Sequence, residues 1–499
     1  MTSPFLSILT NRSKAAGLIM IMIMLPVLLV TVDNTVLNFA LPQIAIALEP
    51  SAAQQLWMID AYSMVLAGLL VTLGGIGDRM GHRRMLCIGC GGFAAVSVAV
   101  VFSQQAWHLI AGRAVLGFFG AMILPATLAL IRSAFDDREE RRLAIAVWAT
   151  CLTIGSAAGP LLGGVLLQYF TWQSVFLIAL PFLLPVLLLA PLITESPREA
   201  GSAIDYPSVL LSLGAMAGVM LALKHLATVG LDAYAIFAAA FGIFLGMAFI
   251  RRQFRLEHPL LDLKLFASQA FSVSIAVNLV SLGLLVGFIF FATQLLQLVL
   301  GLSPLMASMI LVPGQIFAVT AGIAIVPVAQ KVAPKVVIPG CLFLAAGAFA
   351  VMALFAPSAL TIGTGFVLIN VAVAAITSVS NDLVLGTVPA HSAGSASAVS
   401  ETAYEVGVVM GTTLIGGAVA ACYRSNFAEL QNAWAYDREE ASTLGGTHAL
   451  AQQLPTDIAT RLLETANTAF SEGVAITSAL TAIFVCVFAV CTYYGLRRI

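Results

Sequence analysis

AAGLIMIMIMLPVLLVTVDNTVLNFALP, residues 15–42, carries one charged side chain, Asp33, inside a run long enough to cross a bilayer. About 20 successive apolar residues span a hydrocarbon core roughly 30 Å thick, and a carboxylate within such a run costs enough that it reads as functional. The run is longer than the roughly 7–15-residue core of a signal peptide and further spans follow it, so it is expected to be retained. Similar stretches begin near Gln55, Met85, Trp107, Leu143, Gln173, Tyr206, Asp232, Gln269, Ser303, Val336, Ala359, Ser392 and Phe470, which makes fourteen.

Composition agrees. The 499 residues are 60% hydrophobic and 9% charged, with a mean hydropathy of +1.01, against roughly 25% charged in soluble domains. The fold class is therefore an all-α polytopic membrane protein. Basic residues stay cytoplasmic in short loops. An inside N-terminus puts 18 of the 23 Lys and Arg on that side, leaving Lys224, Arg424, Arg438 and Arg461 outside and Arg113 within a helix, so both termini are expected to be cytoplasmic. The net charge of −1 is spread over many loops and gathers into no basic stripe, so no nucleic-acid partner is expected. Cys87 and Cys90 form a C-x-x-C inside the third span, where packing explains them better than redox chemistry. No metal or cofactor is expected, and no phosphate loop or Ser/His/Asp cluster marks an enzyme.

Fourteen spans are not twice six. Spans seven and eight, within residues 201–252, carry almost no polar side chains in the membrane and look like an inserted peripheral pair. Without them the chain divides into a six-helix half over 1–200 and another over 269–499, a repeat that commonly places a transport site between halves. Residues 253–268 form a cytoplasmic connector, and RRQFRLEHPLLDLKLFAS, 251–268, suits an interfacial helix. Residues 423–469 are the longest outer loop, with Asp437, Arg438, Glu439 and Glu440 near a turn signal at Gly445 and Gly446, and with Pro455 to Ala466 able to form a surface helix.

Three segments have a physical reading of their own. In GGIGDRMGHRR, 74–84, glycines Gly74, Gly77 and Gly81 permit close helix approach and a tight turn. Asp78 can cap a helix or pair with a basic neighbour, Arg79, Arg83 and Arg84 being at hand, as a latch on the cytoplasmic side. In TIGSAAGPLLGG, 153–164, Gly155, Gly159, Gly163 and Gly164 leave one helix face bare and Pro160 bends it, which suits a close-contact seal between bundles that rock. In ASAVSETAYEVG, from Ala396, Glu401 and Glu405 sit one turn apart, so their charges repel and they titrate as a pair.

These segments, with LIAGRAVLGFFGA from Leu109, VDNTVLNFALP from Val32 and LWMIDAYSMVLAG from Leu56, resemble the signatures of the major facilitator superfamily. With fourteen spans and the glycine segment, which looks like the superfamily's antiporter motif, the chain is similar to the fourteen-helix drug:proton antiporters, most of all the exporters of quaternary ammonium compounds and methyl viologen. The resemblance implies the major facilitator fold, a bacterial inner-membrane location, and export of lipophilic cations such as quaternary ammonium biocides and ethidium in exchange for protons by a monomer in membrane lipid. Two departures stand out. His82 occupies a place where the family usually has Arg or Lys. The tenth span, Leu302–Ala329, lacks the acid that several such exporters carry there, Ala318 standing in its place, which puts dicationic substrates in question.

Asp33, Asp60 and Arg113 lie toward the outer side and can share a cavity, with Arg113 favouring an ionised neighbour or acting as a structural ion-pair partner. Together with Glu401 and Glu405 they are the expected proton-coupling and cation-binding groups. Trp57, Tyr62, Trp148, Phe288, Phe291, Met309, Gln315, Phe317 and Tyr404 are candidate cavity residues, an adaptable apolar and aromatic wall for flat cations. Asn278, Gln294 and Asn370, like Gln315, suit helix-to-helix hydrogen bonds. An exporter of an endogenous metabolite or lipid would use the same motifs, whereas a receptor would need neither the glycines nor the buried acids.

Overall fold

The computed structural model describes residues 13–135, 137–193, 195, 205–256, 259–261, 263–388, 393–431 and 442–497, and no strand occurs among them. The helices are α1 (Ser13–Leu48), α2 (Ala52–Met80), α3 (His82–Val100), α4 (Ala106–Ala134), α5 (Arg138–Tyr169), α6 (Ser174–Leu192), α7 (Tyr206–Thr228) and α8 (Ala233–Gln253). They continue with α9 (Gln269–Val299), α10 (Pro304–Ala329), α11 (Pro334–Leu354) and α12 (Ala359–Gly386). Then α13 runs from Ala393–Gly411 through a π turn, Thr412–Gly416, into Gly417–Gln431, and α14 is Thr456–Gly495. Thirteen are long and apolar enough to cross a membrane outright, and α2, bent by 57° between Ala52–Leu70 and Thr72–Met80, makes the fourteenth. The chain is a multi-pass membrane protein.

The packing repeats. In the first half α1 lies on α5, α2 on α4, and α3 on α4 and α6; eight helices later α9 lies on α13, α10 on α12, and α11 on α12 and α14. The halves meet along two seams, α2 with α13 and α5 with α10, which the same pairing rule interchanges. The helices α7 and α8 pack on each other, and α7 also reaches α2 and the π turn and last segment of α13, so the inserted pair covers one seam.

Local chemistry sets the helix ends. Ser51 forms a capping box with Gln54, and Asp137 accepts from the backbone N–H groups of Glu139 and Glu140. Gly81, at φ 97°, is the only residue between α2 and α3; an added Cβ there would be strained and would also meet the Glu195 carboxylate at 2.6 Å. At the base of the inserted pair the Arg252 guanidinium grips Asp205 at 2.7–3.1 Å, and this pairing holds the Asp205 carboxyl below the usual carboxylate range.

Three expectations are corrected here. The outer loop is shorter than 423–469: α13 continues to Gln431, and α14 already begins at Thr456, so Pro455 to Ala466 opens the last span and is no separate surface helix. Gly445 and Gly446 lie inside a buried helix, Leu444–Ala451, where Gly445 presses against Ala45 of α1. Hydropathy cannot detect a helix that projects beyond the bilayer, because polar residues break no hydrogen bond there. Asp437, Arg438, Glu439 and Glu440 lie outside the described residues. Finally, the connector forms no long interfacial helix. Beyond the end of α8 at Gln253, only Leu263–Ala267 among its described residues is helical, a short 3-10 turn, and Pro259 cannot donate to a helix running through it.

Candidate functional site

Arg113, on α4, is completely buried and forms an ion pair with Asp33 of α1. Its Nε donates to the Met58 carbonyl at 3.3 Å, and its guanidinium lies 4.4 Å from the centre of the Tyr62 ring, both on α2. Three helices are thus tied by one cation. A charge in this position is tolerable only because carboxylate, carbonyl and ring face replace water around it. The cluster extends across the seam: Glu405 of α13 lies within electrostatic reach of Arg113 and Tyr62 and faces Ser63 of α2. Three buried atoms in this cluster, Nη2 of Arg113, Oη of Tyr62 and Oε2 of Glu405, have no hydrogen-bond partner among the described residues. A donor and an acceptor left open at a seam are where a proton or a ligand gains most.

Asp60 does not share that arginine. Its Oδ2 is 2.9 Å from Lys224 Nζ and accepts a 3.0 Å hydrogen bond from Thr413 in the π turn of α13. The Lys224 ammonium also sits 3.7 Å from the centre of the Trp57 ring. Both charged side chains are buried, at 2% and 0% exposure. Spans seven and eight, expected to carry almost no polar side chains in the membrane, thus bring one buried charge, Lys224, into contact with the first half. A lysine one turn from a helix end reads as a loop residue in sequence, and only the third dimension puts a carboxylate opposite it.

Farther along α13, Glu401 lies one turn before Glu405 and next to a polar network centred on Asn381 of α12. The Oδ1 of Asn381 accepts from Tyr404 Oη at 2.9 Å, from Ser400 Oγ at 3.3 Å and from Asn278 Nδ2 at 3.4 Å. Asn278 also donates to Ser400 at 3.0 Å, the expected helix-to-helix role. Asn370 and Gln294 instead donate to carbonyls four residues back in their own helices, Phe366 and Phe290. Sequence reading missed Asn381, an uncharged residue in an apolar helix whose only signal was its polarity.

The glycine segment lines α1. A Cβ on Gly155 would strike Thr31, on Gly159 Thr35, and on Gly163 Val36 and Phe39. Gly164 faces the other half, against Ser308 and the Pro304 carbonyl of α10. Pro160 lies within the same helix. The α13–α9 pair repeats the device, with Gly407 and Gly411 against Leu279 and Gly283. Further contacts between halves cluster at the same end as Gly164: Gln297 donates to the Phe39 carbonyl at 3.1 Å, and Gly416 packs on Leu56 and Phe290.

The 74–84 segment joins elements within the first half. Gly74 touches Pro125 of α4, and His82 bonds Asp78 at 3.0 Å, so the histidine keeps the pairing that the family's basic residue would supply when it is protonated. Arg83 donates to the Ile193 carbonyl at 3.1 Å, and its backbone N–H donates to Glu195 at 2.9 Å. Glu195 was not among the sequence candidates.

Of the cavity candidates, Trp57 and Tyr62 engage Lys224 and Arg113 as described. Trp148 donates to Thr127 of α4 at 3.1 Å, and Tyr404 belongs to the Asn381 network. Phe288 and Phe291 are both fully buried, in a ring cluster with Phe349 and Phe366 inside the second half. Met309 and Phe317 are half exposed on α10, with Gln315 partly buried beside them.

The profile of the family described as Major Facilitator Superfamily matches residues 23–412. The chain is 45% identical over 496 residues, 98% of each chain, to the protein called multidrug efflux pump LfrA of Mycolicibacterium smegmatis. It is 32% identical to the methyl viologen resistance protein SmvA of Salmonella typhimurium, covering 93% of this chain and 95% of that one. Among solved structures, a bacterial homologue of the human lysosomal transporter Spinster superposes with a TM-score of 0.70 over 97% of both chains, at 16% identity, a likeness of fold.

Proposed function

The chain belongs to the major facilitator superfamily and is a transporter, and from that premise we propose that it is a proton-coupled multidrug exporter of lipophilic cations, working by alternating access. The observation that carries the reading is Glu405. An acid buried at the seam between halves, with one oxygen unpartnered and an arginine–aspartate pair within electrostatic reach, is equipped to exchange a proton for a cation. The names of the relatives, a multidrug efflux pump and a methyl viologen resistance protein, support the same direction.

The termini and the 74–84 segment face the cytoplasm in this reading, and the state described is sealed at the outer end by Gly164 against α10 and by Gln297 against α1. Ionised Glu401 and Glu405 attract a lipophilic cation from the inner side. The halves then rock about their seams. Protons entering from outside neutralise the acids, the cation leaves, and the protons are released inward on return. Asp33 competes with Glu405 for Arg113, so protonation of either carboxyl strengthens the hold of the other on the guanidinium. Each proton contributes about 2.3 kcal/mol per 100 mV and about 1.4 kcal/mol per tenfold proton gradient, so more than one acid raises the concentration ratio the pump can sustain.

Proteoliposomes with an imposed pH gradient test this, using ethidium as substrate. Uptake should require the gradient and should fall at least tenfold in Glu405→Gln and Asp33→Asn. Normal transport in both variants would remove the coupling assignment. Proton flux that follows a metabolite and ignores every lipophilic cation would favour an exporter of an endogenous compound.

A further inference from the structure

We propose that Asp60 and the face of Trp57 form an ammonium-recognising site at the α2–α13 seam, filled in this state by the protein's own Lys224, which thereby disfavours substrates that carry a second positive charge. The inference deepens the export reading and depends on it only for its transport test.

The chemistry of the place is that of a cation receptor. Lys224 Nζ lies 2.9 Å from a carboxylate oxygen and 3.7 Å from the centre of an indole ring, with 2% of its side chain exposed. Carboxylate for charge and indole face for the quadrupole are the pair of contacts that a quaternary ammonium or a flat aromatic cation requires. The site is shared among the three parts of the molecule. Asp60 and Trp57 come from α2 of the first half, Thr413 from α13 of the second, and Lys224 from the inserted α7. The groups facing the carboxylate are Lys224, Thr412 and Thr413. Asp60 Oδ1 remains buried without a hydrogen bond, so the carboxylate retains an open position.

The two seams differ in this respect. The α2–α13 seam is covered by α7, whose Leu213 packs on Gly68 about three turns before Lys224 on the same face, whereas α5 and α10 meet directly at Gly164. A tethered ammonium has a high effective concentration at the site beside it, so a free cation reaches Asp60 only when Lys224 withdraws. While the lysine is seated, Asp60 is neutralised. The negative charge left to a substrate is then that of the Glu401, Glu405 and Asp33 region, and α10 supplies no acid to meet a second positive charge. Lys224 is thus a specificity-determining residue acting through Asp60.

Two measurements decide it. In proteoliposomes, Lys224→Gln keeps a donor for Asp60 but no charge, and should raise the ratio of methyl viologen to ethidium transport about tenfold, the equivalent of about 1.4 kcal/mol; Asp60→Asn combined with Lys224→Gln should return the ratio to that of the wild type. In detergent, the unfolding temperature of Lys224→Ala should rise with butylammonium or tetramethylammonium chloride relative to potassium chloride at equal ionic strength. The rise should exceed that of the wild type and of the Asp60→Asn/Lys224→Ala double variant. An unchanged transport ratio in Lys224→Gln, or no ammonium-specific stabilisation of Lys224→Ala, overturns the proposal. If the wild type moves no cation, the export reading fails, and the thermal measurement still decides the site; if Lys224→Ala does not fold, the transport ratio of Lys224→Gln decides it.

Discussion

A single cation organises the first half. Arg113 touches α1 and α2 from α4, and truncating it would leave Asp33 buried and alone, which costs about 3–5 kcal/mol in comparable pairs. Arg113→Ala should therefore lower the unfolding temperature sharply, whereas Arg113→Lys keeps the charge but cannot hold Asp33, the Met58 carbonyl and the Tyr62 face together, and should fold yet transport poorly. A thermal-unfolding series with both variants checks this; equal stability of Arg113→Ala and wild type would show that the pair is not holding the helices. The acids and Arg113 were legible in the sequence because charge in an apolar span is conspicuous. Which acid pairs with which base was not, since Asp60 and Asp33 lie on different helices and their partners come from residues 224 and 113.

Among elements, glycine decides how closely helices approach. Gly159→Val would drive two methyl groups into Thr35, so α1 and α5 must separate, and transport should fall by tenfold or more while the protein still inserts; full activity would show that the contact is not needed during the cycle. Gly81→Ala combines a positive φ with contact on Glu195 and should cost about 1–2 kcal/mol. The inserted pair offers a pH prediction. Because Arg252 lowers the carboxyl pKa of Asp205 in the folded state, the stability it adds is fully present above the unfolded value of about 3.9 and is lost as pH falls through the lower folded value. Asp205→Asn should lower the unfolding temperature near neutral pH, and the gap should close as pH is taken below the lowered folded value. A gap that persists in acid would assign the effect to something other than this ion pair. The glycine pattern was readable at α5 because Pro160 and four glycines crowd into twelve residues. Its echo at Gly407 and Gly411 passed as small residues around two acids, and became visible only when α9 lay against them.

For the whole molecule, the repeated pairing of helices makes two seams, and at one end of the α5–α10 seam Gly164 lies closely against α10. Gly164→Leu cannot fit against Ser308 and Pro304 and should wedge that end open. In a background without the seven native cysteines, Ser308→Cys should react with a membrane-impermeant maleimide several-fold faster when Gly164→Leu is present. Equal rates would place the seal elsewhere. The loop over 423–469 shows the limit of hydropathy at this scale: the polar ends of long helices such as α13 and α14 have no apolar signature, so in sequence they read as loop.

The sequence by itself determined that the chain crosses a membrane about fourteen times, that Asp33, Arg113, Glu401 and Glu405 lie in apolar helices, and that glycine bares one face of α5, because each of these depends on the chemistry of residues near one another along the chain. The tertiary structure alone decided that Lys224 sits against Asp60, that Glu405 reaches the Arg113 cluster across the seam, and that Phe288 and Phe291 belong to a core. Charge pairing and burial depend on distances in space between residues far apart in sequence, and in an apolar helix bundle nothing along the chain records which faces meet.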